Sequence, residues 1–91
     1  MEGTGLRVTL ITRHDCHLCE EMAAVIAAVR VQIDFELEVL DVDGDAALRA
    51  RYSDQVPVLL VDGRRAFKYR VSAPALARRL RLTTWRRRLH L

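Results

Sequence analysis

Residues 11–22 read ITRHDCHLCEEM, and this segment contains both cysteines of the chain, Cys16 and Cys19, with two of its three histidines. The overlapping run RVTLIT (7–12) is apolar and rich in β-branched residues, which predicts a strand. From Cys16 onward the apolar residues recur with the period of a helix face. They are Leu18, Met22, Val25, Ile26 and Val29. The segment therefore predicts a strand that leads into a helix at the cysteine pair.

Three further strands are predicted from apolar patterning. DFELEVLDVD (34–43) and RRAFKYRV (64–71) alternate apolar and polar residues, as edge strands do, whereas PVLLV (57–61) is apolar throughout and predicts a central strand. The Asp62-Gly63 pair lies between the last two strands. It predicts a type I′ hairpin, which needs positive φ at both central residues.

Two further helices follow from DGDAALRARYSD and SAPALARRLRL. Each of the three helices has, near its start, a side-chain oxygen that can accept the free N–H groups of the first turn. The candidate caps are Asp15 for the first helix, Asp43 or Asp45 for the second and Ser72 for the third.

The element order is β-α-β-α-β-β-α, which predicts an α/β fold. We expect a four-stranded mixed sheet in the order 2-1-3-4, flanked by three helices. The first strand should be parallel to the second and the third through right-handed crossovers, with the hairpin adding the fourth strand antiparallel. The 91 residues are expected to form one domain with a core at about 6–82 and a basic C-terminal tail at 83–91.

Composition and charge limit the classes of function. No apolar run approaches the roughly 20 residues of a membrane span, and the first residues do not resemble a signal peptide. We therefore expect a cytoplasmic protein with no membrane partner, a setting in which a CxxC pair indicates redox chemistry or metal more often than a structural disulfide. All 12 acidic residues lie at or before Asp62, and ten of the 15 Lys and Arg lie from Arg64 onward. This basic end is either a solvated surface or a site for nucleic acid or an acidic partner.

The predicted layout assigns different roles to the two cysteines. Cys16 lies at the helix N-terminus, where free N–H groups and the helix dipole favour a thiolate, lowering the thiol pKa from about 8.5. Cys19 lies beside the apolar stripe and should be the more buried thiol. Cys16 is then the nucleophile, and Cys19 resolves the mixed disulfide. Arg13 and His17 are candidates for stabilising the thiolate as neighbouring cations.

The CxxC after a strand, together with QVPVLLVDG (55–63), resembles the thioredoxin superfamily. The length is closest to glutaredoxins and small bacterial glutaredoxin-like proteins. This resemblance implies a thioredoxin fold and dithiol–disulfide exchange with no cofactor, because electrons arrive through thiols. It also implies a cis peptide bond before Pro57, with Val56 and Pro57 contacting an extended substrate.

The implied partners are disulfide-containing proteins, glutathione or both. The centre here is Cys-His-Leu-Cys, and the hairpin is followed by AFKYRVSAPAL, which lacks the Gly pair and the acid that hold glutathione in glutaredoxins. The natural reductant is therefore left open. Lys68, Arg70 and Arg13 are alternative contacts for carboxylates of glutathione or of an acidic protein.

Two other functions are compatible with parts of the sequence. His14, Cys16, His17 and Cys19 are possible Zn²⁺ or Cu⁺ ligands, although ligands so closely spaced rarely enclose one tetrahedral ion, and we assign no metal site. The basic end could instead bind nucleic acid. Its aromatic residues are few, however, since we expect Phe67 and Tyr69 in the core and Trp85 anchoring the tail, so we do not expect a nucleic-acid partner.

Overall fold

The computed structural model describes residues 5–89. Four strands and three α-helices follow one another in the predicted order. The elements are β1 (Arg7–Thr12), α1 (His17–Arg30), β2 (Glu36–Asp41), a short 3₁₀ turn (Val42–Gly44), α2 (Ala46–Tyr52), β3 (Val58–Val61), β4 (Arg64–Lys68) and α3 (Ala73–Leu89). No helix within residues 5–89 combines the length and the apolar character that a membrane span needs.

The four strands form one mixed sheet in the order β2-β1-β3-β4, which confirms the predicted arrangement. β1 and β2 are parallel, with Arg7 opposite Glu36 at one end of the pair. β3 and β4 form the predicted antiparallel hairpin. At its turn, Asp62 and Gly63 have φ values of 50° and 81°, so both central residues are left-handed, as a type I′ turn requires.

The direction of β3 corrects the sequence prediction. β3 runs antiparallel to β1, with Val58 opposite Ile11 and Val61 opposite Val8. A parallel pairing would need a connection that returns along the whole strand. The seven-residue α2 is only about 10 Å long, about half the length of the six-residue β1. The connection stays at the end of the sheet where β1 and β2 finish, since β2 ends opposite Thr12 and β3 starts opposite Ile11.

Helices cover the two faces of the sheet unequally. Alternate residues of β1 point to opposite faces, and the face of Val8 and Leu10 packs against α1 and α3 in the larger core. The opposite face carries a smaller core around Ile11 and Tyr52, the latter from α2. The larger core comprises Leu6, Val8, Leu10, Met22, Ile26, Val29, Phe35, Leu59, Val61, Leu76 and Leu80.

The helix caps agree with the sequence in two cases and differ in one. The Asp45 carboxylate accepts hydrogen bonds from the N–H groups of Ala47 and Leu48, and the Ser72 hydroxyl accepts one from Ala75 at 3.2 Å. Asp15 is not the cap of α1. It has a φ of 56° in the preceding turn, which makes Cys16 the N-cap residue.

Strand β4 ends earlier than predicted. It stops at Lys68 because Tyr69 has a φ of 68°, which breaks the extended backbone. Phe67 packs against the larger core as expected, but the placement of Tyr69 in the core is wrong, because its side chain is exposed.

Helix α3 extends beyond the predicted end at Leu82. Residues 83–89 contain neither Gly nor Pro, and the hydroxyls of Thr83 and Thr84 donate to the carbonyls of Arg79 and Leu80 one turn earlier. The segment assigned to a tail is therefore helical as far as Leu89. Trp85 lies on this helix with 58% of its surface exposed, so it does not anchor the segment against the core.

Candidate active site

The two cysteines meet at the end of the sheet where β1 finishes. Cys16 and Cys19 form a disulfide with their Cα atoms 5.2 Å apart. Cys16 is partly exposed, whereas Cys19 is only 3% exposed. The difference in burial follows from the apolar stripe of α1, which carries Cys19 into the core beside Met22.

The sulfur of Cys16 lies against the first turn of α1. As N-cap residue, Cys16 accepts a hydrogen bond on its Sγ from the backbone N–H of Cys19, at 3.1 Å, and its carbonyl accepts the N–H of Glu20 at 3.1 Å. The N–H groups of a first turn have no partner within the helix and carry the positive end of its dipole. A negative charge on this sulfur would therefore be stabilised by the backbone alone.

The loop before β3 reaches the same end of the sheet. Val58 pairs with Ile11, so Pro57 lies level with the end of β1, where the chain leads toward Cys16. Pro57 is buried and Val56 is half-buried, and the peptide bond between them is cis. Two segments distant in sequence thus lie side by side, one carrying the sulfur and the other the predicted substrate contacts.

Tyr69 is bonded to this loop at two points. Its backbone N–H donates to the carbonyl of Pro57 at 2.8 Å, and its hydroxyl donates to the carbonyl of Asp54 at 3.0 Å. This contact could not be predicted from the sequence, because an alternating strand pattern does not reveal a left-handed residue other than Gly. The two bonds stabilise the conformation of the loop.

Arg13 is engaged away from the cysteines. The four hydrogen bonds that its guanidinium makes within residues 5–89 go to the Asp43 carboxylate and to the carbonyl and hydroxyl of Ser53. The hydrogen bond between Arg13 and Asp43 lowers the pKa of the carboxyl below its ordinary 3.8 and raises the pKa of the guanidinium. Arg13 thus ties the loop before Cys16 to the 3₁₀ turn and to the end of α2.

The histidines near the cysteines each face a carboxylate. His17 Nε2 lies 2.9 Å from Glu21 one turn along α1, and Glu21 also lies 3.4 Å from Arg70. His14 Nε2 lies 3.5 Å from Asp41. Within residues 5–89, no three His, Cys, Asp or Glu side chains gather into a set that could hold a metal ion.

A groove of about 500 Å³ lies between α1 and the segment that follows β4. Glu21, Tyr69 and Arg70 line it together with apolar side chains such as Met22 and Phe67. Glu21 was not among the residues predicted for the site, although its place four residues after His17 is the spacing at which helix side chains pair. One wall of the groove is α1, which begins next to the cysteines. The other wall is the segment that follows β4, which Tyr69 connects to the loop of Pro57.

Comparison with known proteins agrees with this architecture. The model of the glutaredoxin-like domain family (DUF836) matches residues 7–81. Uncharacterized proteins of Mycobacterium tuberculosis and Mycobacterium bovis are 36% identical over 63 residues, a match that spans 64% of this chain and 65% of theirs. The X-ray structure of a structural-genomics target protein from X. campestris is 33% identical with a TM-score of 0.70, covering 82% of this chain and 96% of that one.

The fold is also that of thioredoxins. A mutant thioredoxin from Halobacterium salinarum superimposes with a TM-score of 0.57 at 25% identity, covering 80% of this chain and 69% of that chain. The strand order, the three helices and the cysteine pair at the start of α1 agree with this likeness. The chain belongs to the glutaredoxin-like domain family of the thioredoxin superfamily.

Proposed function

We propose that this protein is a thiol–disulfide oxidoreductase that reduces disulfides in other proteins, or mixed disulfides with glutathione, through Cys16 and Cys19. The observation that carries the proposal is the disulfide between a partly exposed and a buried cysteine at the start of α1. Such a pair needs no cofactor, because the sulfurs themselves hold the two electrons.

The reaction has two exchange steps. In the reduced protein, the Cys16 thiolate attacks a substrate disulfide, forms a mixed disulfide and releases one substrate thiolate, which takes up a proton. Cys19 loses its proton and attacks the Cys16 sulfur, which releases the second substrate thiolate and forms the Cys16–Cys19 disulfide. Two electrons have then passed to the substrate, and two molecules of glutathione or one protein dithiol, which are oxidised to a disulfide, restore the dithiol.

The surroundings of the pair support these roles. The N–H of Cys19 points at the Cys16 sulfur, so the thiolate that starts the reaction has a donor in place. The partial exposure of Cys16 allows attack on a bulky substrate. Burial of Cys19 keeps that thiol for the second step, after the substrate is attached.

Val56 and Pro57 are the proposed substrate contacts. The half-buried Val56 lies on the loop beside the end of β1, where its backbone groups could pair with an extended peptide. For the thiolate-tuning residues, His17 retains its proposed role as a neighbouring cation, moderated by Glu21 at 2.9 Å. We propose that Arg13 acts as a positioning residue and not as a cation beside the thiolate, because its hydrogen bonds hold the loop that leads to Cys16.

Charge near the groove bears on the substrate. Arg70 lines the groove and shares Glu21 with His17, and the exposed Lys68 lies two residues before it. We propose that these cations favour disulfides flanked by carboxylates, in an acidic protein or in glutathione. A cytoplasmic location suits this chemistry, since the dithiol must be reduced again after each turnover.

Turnover of a model disulfide by wild-type protein and by the Cys16→Ser and Cys19→Ser variants tests the proposal, driven in turn by glutathione and by a thioredoxin-reductase system. Cys16→Ser should be inactive with both reductants. If Cys19→Ser is also inactive with both reductants, the protein uses the dithiol route. If Cys19→Ser stays active with glutathione but not with the thioredoxin-reductase system, Cys16 works with glutathione as the second thiol. Full activity of Cys16→Ser would refute the assignment. Leu18→Ala, between the cysteines, is the matched control.

A further inference from the structure

The outward face of the second half of α3 carries a stripe of apolar side chains. Leu82, Trp85 and Leu89 are spaced three and four residues apart, which places them on one side of a helix. They are 39%, 58% and 66% exposed. The opposite side of the same helix is the one that packs on the sheet, through Leu76 and Leu80, both 0% exposed. The stripe is therefore not part of the core of this domain.

Arginines border the stripe on both sides. Arg81 and Arg88, two helical turns apart, follow one flank, and Arg79 and Arg86 follow the other. No Asp or Glu occurs from Arg64 to the end of the sequence to neutralise them locally. Favourable interaction with the helix dipole explains cations in the last turn, but it does not explain Arg79 and Arg81, which lie near the middle of α3.

We propose that this face of α3, formed by Leu82, Trp85 and Leu89 between rows of arginines, binds the surface of a membrane that contains anionic lipids. A helix lying in the interface buries an apolar strip among the acyl chains and keeps cations at the level of the phosphates. Tryptophan is enriched at that depth. This proposal revises the expectation of no membrane partner, which was based on the lack of an apolar run long enough to span a membrane. A peripheral helix needs no such run, so the proposal is compatible with the absence of a spanning helix from residues 5–89.

The pattern of side chains favours lipid over nucleic acid. Single-stranded nucleic acid is bound by basic grooves with several aromatic side chains on which bases stack. This surface is the convex side of one helix, with a single tryptophan and two leucines at its centre. The aliphatic side chains would gain nothing beside phosphates, whereas they leave water on entering a bilayer. Arg87 is excluded from the outward face because it reaches the Asp62 carboxylate at 3.5 Å.

Trp85 provides the measurement, because it is the one tryptophan in the sequence. The full chain is titrated with vesicles of phosphatidylcholine, alone or mixed with phosphatidylglycerol, while indole fluorescence and co-sedimentation are recorded. We expect a blue-shifted emission, quenching by brominated acyl chains and co-sedimentation with the anionic vesicles only. Rising salt should weaken binding.

Paired variants separate the surface from overall charge. Arg81→Glu with Arg86→Glu should weaken binding to anionic vesicles at least about tenfold, since each arginine near such a surface adds to the attraction to anionic lipid and each glutamate opposes it. The matched control, Arg49→Glu with Arg51→Glu, makes the same change in charge on α2, across the sheet, and should bind nearly as wild type. Circular dichroism verifies that each variant is folded, and glutamine at the two α3 positions replaces glutamate if it is not.

A further pair tests the apolar stripe, with Leu82→Gln and Leu89→Gln lowering binding several-fold while Trp85 remains as reporter. Absence of binding to the anionic vesicles would overturn the proposal. Equal weakening by the α2 control would also overturn it, because net charge rather than this face would then be responsible. Binding of an oligonucleotide through the same arginines without binding to vesicles would assign the face to nucleic acid and refute the lipid assignment.

Discussion

Two leucines of α3 allow the packing of this helix to be tested with one chemical change. Leu80 is 0% exposed and belongs to the larger core, whereas Leu82 is 39% exposed on the outward side. Leu80→Ala and Leu82→Ala remove the same atoms from opposite sides of one helical turn, so the change in intrinsic helix propensity is the same for both. The difference between their stabilities therefore measures burial.

The expected magnitudes follow from the exposed fractions. A fully buried Leu→Ala change costs about 2.7–5 kcal/mol, the sum of lost transfer free energy and the cavity left behind. Leu82 is partly exposed and its removal leaves no closed cavity, so we expect a loss of about 1 kcal/mol or less. Leu80→Ala should also lower Tm by at least about 10 °C in a domain of this size.

Urea denaturation followed by circular dichroism gives both free energies of unfolding, with equal m-values as the check that unfolding stays two-state. The structure predicts that Leu80→Ala is less stable than Leu82→Ala by about 2 kcal/mol or more. Equal losses, or a larger loss for Leu82→Ala, would mean that α3 packs through a different face, and the exposed stripe would then have to be reassigned.

Three further predictions concern acid stability, the hairpin and the substrate. Arg13 lowers the pKa of Asp43 below 3.8, so the contact stabilises the fold above that pH, and this stabilisation is lost as the pH falls through the lowered pKa of the folded state. Asp43→Asn should flatten this acid dependence in urea midpoints measured between about pH 2 and 5. Gly63→Ala should lower the free energy of unfolding by about 1–2 kcal/mol, because its φ of 81° strains a residue with a Cβ, although that Cβ would meet nothing within 4 Å. A variant as stable in urea as the wild type would contradict the left-handed conformation of this turn residue. Reduction of an acidic substrate should slow with rising salt, and Lys68→Gln with Arg70→Gln should remove most of that dependence; a rate indifferent to salt argues against steering.

Local patterns were sufficient to predict most of the fold. Three local features depend on a few neighbouring residues each: the Asp62-Gly63 turn, the apolar β3 and the period of α1. Together they predict the sheet order, because short connections and right-handed crossovers allow only a few topologies. The direction of β3 depends instead on where the connection through α2 lies. Seven helical residues predict a short element, but the sequence does not show that it remains at one end of the sheet.

The candidate site was predictable where it depends on one helix. The greater burial of Cys19 follows from the stripe that includes Met22, and the position of Cys16 follows from the change in period. The partners of Arg13 were not predictable, because Asp43 and Ser53 lie 30 and 40 residues away in sequence. Tyr69 was misplaced for a similar reason, since its contacts with the 54–57 loop outweigh the strand pattern around it.

The ionisation of Cys16 is the most informative measurement, because the proposed reaction begins with the Cys16 thiolate. The thiolate absorbance of the reduced Cys19→Ser and Cys16→Ser variants is titrated against pH, each variant retaining one thiol. We expect Cys16, at the N-terminus of α1, to ionise below the pKa of about 8.5 of a free thiol, and Cys19 to ionise at higher pH because burial disfavours its thiolate. A Cys16 thiol that stays protonated to pH 8.5 or above, or that ionises after Cys19, would contradict this expectation.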